Sequence, residues 1–495
     1  MPRSKDLLDK SIRAAGWGYL GSIVRLVVQI LAQIVLARLL GPNDYGLFAI
    51  GVILVSLTFL FSDVASSALI QMKTVNERQL RFALFCQLSV GLLATMVLVG
   101  LAHPLSLAMD QPRCEAVIYA LAPVCFLNAL GGVALAQLRR ALAYGIIQFA
   151  QTAGYFVGYI LVAIPLAVWF DAGVWALVSA WMVQAALTSL LYWRNAPHSL
   201  LPSFSCPESE KMIAFGVAAM VANFSNWALS NVDRLIVAKF SPLAETGLYT
   251  TSMNLLSTPL AQILGTFQSV TFSASARMED EVDEKLFLSL LGVVSLITWS
   301  MYGFALAISG TLISALYGPK WVGAVPYMTA FCVSLAAFGT MSAITPLLWG
   351  RGAVRREALP QFWMAAVLTL VAWFAVKESS LAVAWSVATV SILRCVWMIR
   401  NGLRTFNATT GAVVSLLFRI GVFVFVLSAL CFTADHILKQ CISNPLSRLP
   451  FDILALLIII AIGIIFRRRW FGNLLTDVLD PLLHAVSTRI GLRVR

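Results

Sequence analysis

Apolar stretches of about 18 residues or more recur from one end of this chain to the other, and each is long enough to cross a bilayer. Backbone inside hydrocarbon must satisfy its own N–H and C=O groups, so such stretches are either helices or strands of a closed barrel. They are too long and too uniformly apolar for barrel strands, which alternate over roughly ten residues. The chain reads as an all-α polytopic membrane protein. Composition agrees: of 495 residues, 60% are hydrophobic and 12% charged, against roughly 25% charged in a soluble domain. Fourteen spans are expected, near residues 16–38, 45–70, 82–102, 116–138, 144–169, 173–193, 213–235, 246–272, 286–316, 323–349, 358–376, 380–399, 411–433 and 450–466. The ninth exceeds what a bilayer needs, which predicts tilt or an amphipathic lead-in.

Charge sets the orientation. With the N-terminus in the cytoplasm, 24 of the 35 basic residues fall in inner segments, eight in outer ones, and Arg25, Arg394 and Arg419 within spans. That bias predicts an even number of spans with both termini inside. The net charge of +12 is then a consequence of topology and gives no support to nucleic-acid binding. Residues 1–15 are basic and amphipathic and are expected to lie at the inner face, as is the basic tail 467–495 on anionic lipid. Trp17 and Trp321 are expected to anchor at the membrane interface. The eight cysteines are scattered with no C-x-x-C pair, and Cys86, Cys125, Cys332, Cys395 and Cys431 lie in apolar runs where cysteine packs as a small hydrophobe. His103, His198, His436 and His484 are far apart, and no metal site or cofactor is expected.

The opening turn, RLLGPNDYGLFAI, returns later in the chain. At a shift of 201 residues Ala37 meets Ala238, Arg38 meets Lys239, Asp44 meets Glu245, Gly46 meets Gly247 and Phe48 meets Tyr249. At a shift of 207, Pro112 meets Pro319, Cys125 meets Cys332, Ala129 meets Ala336 and Gly132 meets Gly339. The two offsets differ by one modest insertion, so spans 1–6 and 7–12 read as two copies of one unit. Six spans return the chain to its starting side, which predicts parallel copies related about the membrane normal. The expected organisation is an N-lobe at 16–195, a cytoplasmic linker at 196–212, a C-lobe at 213–400 and an added pair of spans at 411–466.

The stretches ARLLGPNDYGLFAI…SDVASSALIQ, NVDRLIVAKF…ETGLY and ALYGPKWVGAVPYM resemble bacterial polysaccharide export flippases. These form the polysaccharide transporter branch of the multidrug/oligosaccharidyl-lipid/polysaccharide flippase superfamily. The likeness runs through about residues 10–400 and is nearest to exopolysaccharide exporters of the succinoglycan or colanic-acid type. The resemblance implies two six-helix lobes in a V shape that rock to carry an undecaprenyl-diphosphate-linked oligosaccharide from the inner to the outer leaflet of the bacterial inner membrane. It implies a place in exopolysaccharide biosynthesis beside polymerase and export proteins, and transport without enzymatic turnover.

The residues themselves mark a candidate cavity. Span 1 carries Ser22, Arg25, Gln29 and Gln33 on one helical stripe, and their partners at the 201 shift are Asn223, Asn226, Ser230 and Arg234. Span 8 adds Asn254, Thr258 and Gln262 at i, i+4 and i+8, where span 2 has Ile53, Leu57 and Phe61. Polar groups so deep in apolar helices are costly and face a bundle interior or water. On one reading they line a cavity in which amides and hydroxyls meet a sugar and arginine meets a diphosphate, its planar fork fitting two oxygens. On the other they are hydrogen-bonding glue between helices. Asp63 stands at nearly the depth of Arg25. It either neutralises that arginine or, like Asp233, carries a coupling proton or sodium ion. Two other functions compete: a cation-coupled multidrug or small-solute antiporter, which would favour acidic cavity residues, and a membrane polysaccharide polymerase, which would need a catalytic cluster or a substantial soluble loop. No phosphate-binding G-x-x-x-x-G-K-[ST] run is present to support direct ATP use.

Overall fold

The computed structural model describes residues 2–62, 69–70, 72, 75–204, 209–275, 284–351, 353 and 355–465. Among them there are helices and turns and no strand. In chain order the helices are α1 (Pro2–Leu39), α2 (Pro42–Ser62), α3 (Glu77–Ala108), α4 (Pro112–Arg140), α5 (Tyr144–Trp169), α6 (Val174–Asn195), α7 (Ser209–Phe240) and α8 (Leu243–Ser275). They continue with α9 (Glu284–Ala307, extended by Ser309–Leu316), α10 (Pro319–Gly350), α11 (Arg355–Ala375), α12 (Ser380–Phe406), α13 (Thr410–Cys441) and α14 (Pro445–Ile465). Ten helices of the described residues are long and apolar enough to cross a membrane, and Pro360–Ala375 is a shorter apolar one. Every expected span overlaps one of these helices. The stretch 63–68 in the second, residue 466 in the last and the tail 467–495 lie outside the described residues.

Local chemistry explains the boundaries. Pro42 begins α2 at the position where a missing N–H costs nothing, and Asp44 reaches back to accept from the N–H of Gly41 at 3.3 Å. Asn76 and Gln79 make a reciprocal cap at the start of α3, each bond 2.9 Å. Gly173, at φ +54°, supplies the left-handed turn between α5 and α6.

The chain divides into two compact units, Met1–Thr251 with Val376–Ser380, and Ser252–Ala375 with Leu381–Arg495. In the first unit Ile50, Val117, Leu121 and Val124 are buried in one apolar cluster with Ala238 of α7. There the two copies of the opening turn meet. A methyl group added at Gly46 would lie 2.0 Å from the carbonyl oxygen of Leu243, and one at Gly247 would lie 1.9 Å from that of Pro42. The crossing is reciprocal, and its members are related by the 201-residue shift. A second matched pair does one job in separate units. Gly132 lets α4 press on Gln87 of α3, and Gly339 lets α10 press on Thr298 of α9, where methyl groups would meet side-chain atoms at 2.6 and 2.4 Å.

One expectation fails here. Trp321 is fully buried, its ring centre 5.6 Å from that of Tyr317 in an edge-to-face arrangement, so it packs inside the second unit and does not anchor at an interface. The start of α10 folds this ring inward, which a hydropathy reading has no means to see. The side chain of Trp17 lies outside the described residues.

Of helices α13 and α14, which have no counterpart in the repeat, the first packs on α9 through an apolar cluster around Val293 and Ile420, and the two are tied to each other and to the end of α9 at Asp435. Asp435 is 2% exposed. It accepts from the hydroxyl of Thr311 at the end of α9, pairs with Lys439 at 3.1 Å and lies 3.9 Å from Arg448 of α14. Removing one member of a buried pair strands the other, at about 3–5 kcal/mol, whereas an exposed pair contributes about 0–1 kcal/mol. Asp435→Ala should therefore lower unfolding stability in detergent by an amount in the first range. Lys439→Ala, whose side chain is 46% exposed, should fall in the second. Equal losses would refute the buried clasp.

Candidate functional site

Span 1 passes through the first unit with two unlike faces. Ile23, Val24, Val27, Leu31 and Val35 are exposed and apolar. Arg25 turns the other way, and its Nη1 donates to Oε1 of Gln151 on α5. Close packing makes this approach possible. At Gly21 an added methyl would lie 2.6 Å from Cβ of Gln148, so α1 and α5 touch just before Arg25 along the helix. On the far side of α5, Gly154 faces Thr188 and Gly158 faces the carbonyl of Ala180, which draws in α6.

The space around Arg25 is polar and under-satisfied. Tyr155 of α5 and Tyr192 of α6 stand near the guanidinium. Tyr155 stacks on Tyr159, ring centres 4.2 Å apart. Beside this pair α5 widens into a π-helical stretch, Phe156–Ala163, a departure found often where helices carry functional groups. On α1 and the facing stretch of α5, four buried atoms have no hydrogen-bond partner among the described residues: Nε of Arg25, Oε1 of Gln29, Oε1 of Gln148 and Oγ1 of Thr152. Buried polar atoms are nearly always paired, so a cluster of orphans within a membrane span marks a place that water or a polar ligand fills. A cation with a free N–H, beside amides and hydroxyls, offers what a sugar phosphate requires.

The other expected residues divide. Ser22 and Gln33 are half-buried on α1. In α7, Asn223, Asn226 and Ser230 are exposed, and the Ser230 hydroxyl donates to the Asn226 carbonyl at 2.9 Å. Arg234 is half-buried, and its Nε has no partner among the described residues. The two stripes paired by the 201-residue shift are therefore unlike: the first is engaged by α5, the second open. Asp233 is 3% exposed. One of its oxygens accepts from the Tyr249 hydroxyl at 2.6 Å, and the other has no partner among the described residues. In the second unit Asn254 is exposed, while Thr258 and Gln262 are half-buried. Asp63, and with it the expected pairing with Arg25, lies outside the described residues.

The α5 side of this polar cluster is absent from the candidate residues above, although the sequence carries a signal for it. Gln148, Gln151, Thr152 and Tyr155 fall at i, i+3, i+4 and i+7 within an apolar span, which is one helical stripe.

Comparison with known proteins agrees in family and fold. Residues 35–326 match the family described as polysaccharide biosynthesis protein. The chain is 21% identical to the lipopolysaccharide biosynthesis protein WzxC of Escherichia coli (strain K12), covering 66% of this chain and 67% of that one. It is 22% identical to the succinoglycan biosynthesis transport protein ExoT of Rhizobium meliloti (strain 1021), covering 72% and 71%. Its fold is similar to that of the lipid II flippase MurJ in an inward closed conformation, with a TM-score of 0.70, 12% identity and coverage of 91% and 98%. An inward-facing multidrug resistance MATE family transporter of the MOP superfamily has a TM-score of 0.63 at 13% identity, covering 78% and 98%.

Proposed function

This chain belongs to the polysaccharide biosynthesis protein family, and from that membership we propose that it is a flippase for a lipid-linked oligosaccharide. Its cargo is an undecaprenyl-diphosphate-linked repeat unit carried from the cytoplasmic to the periplasmic leaflet of a bacterial inner membrane by alternating access. The product feeds exopolysaccharide synthesis and export, beside a polymerase and export proteins. The two copies, 16–195 and 213–400, are the moving lobes, and both termini are cytoplasmic. The observation that carries this reading is the polar cluster of the first unit, where Arg25 stands among amide and hydroxyl atoms that have no partner among the described residues. Arg25, Gln29 and the α5 stripe take the sugar phosphate. Ser22 and Gln33, together with Asn223, Asn226, Ser230, Arg234, Asn254, Thr258 and Gln262, supply further polar contacts along its path.

Proteoliposomes holding a fluorescent lipid-linked oligosaccharide test the proposal. The protein should raise the fraction of label reached by a membrane-impermeant quencher, with the oligosaccharide unchanged in length. Lengthening of the sugar would make it a polymerase. No change in sidedness in a well-reconstituted sample would remove the flippase reading.

A second reading, cation coupling at Asp233, is favoured by the unpartnered oxygen of that carboxylate and by the fold shared with a multidrug transporter. Asp233→Asn keeps an acceptor for Tyr249 and removes the charge. If Asp233 carries the coupling ion, that variant should transport without responding to an imposed proton or sodium gradient. An unaltered gradient response would leave Asp233 with a structural role alone.

A further inference from the structure

Helix α13 presents one long apolar face to its surroundings: Val414 is 61% exposed, Phe418 69%, Phe425 74% and Phe432 57%. Arg419 stands at the edge of this face. It is exposed, as is Ser415 one turn before it, and it makes no hydrogen bond or ion pair among the described residues. A bare guanidinium on a lipid-facing surface is costly unless an anion meets it.

Its level along the helix says which anion. His436 and Lys439 are exposed near the far end of α13, and the 17 residues from Arg419 to His436 span about 26 Å at 1.5 Å per residue. A hydrocarbon core is about 30 Å thick. With His436 at one boundary, Arg419 therefore lies just inside the other. Helical side chains lean toward the N-terminal end, which for Arg419 is the nearer membrane face, so its stem carries the charge out of the hydrocarbon. By the orientation that the charge bias favours, that face is the inner one.

We propose that Arg419 and Ser415 form a binding site for the phosphate of an inner-leaflet phospholipid, whose acyl chains lie along the Val422, Phe425 and Val426 side of α13. The arginine fork takes two phosphate oxygens, and the hydroxyl is placed one turn nearer the headgroups. One cation with one hydroxyl matches a single phosphodiester better than a diphosphate. The unbroken apolar flank suits acyl chains better than a protein surface. The site belongs to the added helices and stands independently of the transport reading.

Native mass spectrometry after delipidation and re-exposure to mixed micelles of phosphatidylglycerol provides the test. The wild-type protein should retain at least one more phosphatidylglycerol than Arg419→Gln, and Arg419→Lys should retain it at least threefold more weakly than wild type. Ser415→Ala should show a smaller loss, and it carries the test if the Arg419 variants do not fold. Equal retention by wild type and the folded variants would overturn the site. So would retention of added undecaprenyl diphosphate alone, or a change in oligomeric state with no change in bound lipid, because each names a different occupant.

Discussion

Arg25→Met should abolish transport of the lipid-linked cargo while leaving the folded protein as stable as the wild type or more so. The two halves of this expectation follow from one observation. Among the described residues Arg25 has a single hydrogen bond, to Gln151, and an Nε with no partner, in a buried setting. Desolvating a guanidinium costs several kcal/mol, and one bond to a neutral amide does not offset that, so an apolar residue of similar length is tolerated or preferred. A residue that costs stability and is nevertheless present is expected where function uses it. Arginine as interhelical glue predicts the reverse: Arg25→Met would lose the α1–α5 contact, lower the unfolding midpoint and leave transport in proportion to the surviving protein. Arg25→Lys separates charge from geometry, since lysine keeps the cation without the planar fork. It should restore part of the transport, and full recovery would show that charge alone is required. The readouts are the proteoliposome sidedness assay and a detergent melt on the same preparations, normalised to protein in the membrane.

What the sequence shows and what it hides follow from the range of the forces involved. Span positions rest on a local quantity, hydropathy over about 20 residues, and each expected span overlaps a helix. The turn at Gly41–Asp44 is also local: proline at a helix start and an aspartate cap can be read within four residues. The polar stripe on α1 is legible for the same reason. Its partner is not, because periodicity says that Arg25 and Gln29 share a face and says nothing of which helix that face meets. That the face meets α5 depends on Gly21 seating against Gln148, a contact between residues far apart in the chain. The stripe on α7 shows the other side of this limit. Asn223, Asn226 and Ser230 match the α1 positions by repeat yet are exposed, so equal places in a duplicated pattern have come to unequal surroundings. Trp321 fails for a related reason. Aromatic residues near span ends favour the interface on average, but a local 3-10 turn at Pro319–Ala324 rotates this one into the core.

The reciprocal crossing of Gly46 and Gly247 carries the second large expectation. Gly46→Ala and Gly247→Ala should each lower unfolding stability by at least the 1–3 kcal/mol typical of overpacking, and the double variant should lose less than the two losses added. Each new methyl would meet a backbone carbonyl oxygen, at 2.0 Å in one case and 1.9 Å in the other. A side chain can swing to another rotamer, but these oxygens cannot, because Pro42 and Leu243 open α2 and α8 and the helical pattern directs their carbonyls to the N–H groups of residues 46 and 247. Relief then requires the two helix ends to part. Once one methyl has parted them, the second meets a gap already opened, and neighbouring sites that share a backbone shift do not add. Gly265→Ala supplies the control. It lies in the same helix α8 with nothing within 4 Å of an added methyl, so alanine there should stabilise by up to about 1 kcal/mol through helix propensity alone. Should Gly46→Ala prove as benign as Gly265→Ala in a detergent unfolding series, the two opening turns do not press backbone on backbone, and the matched glycines of the repeat would need another explanation.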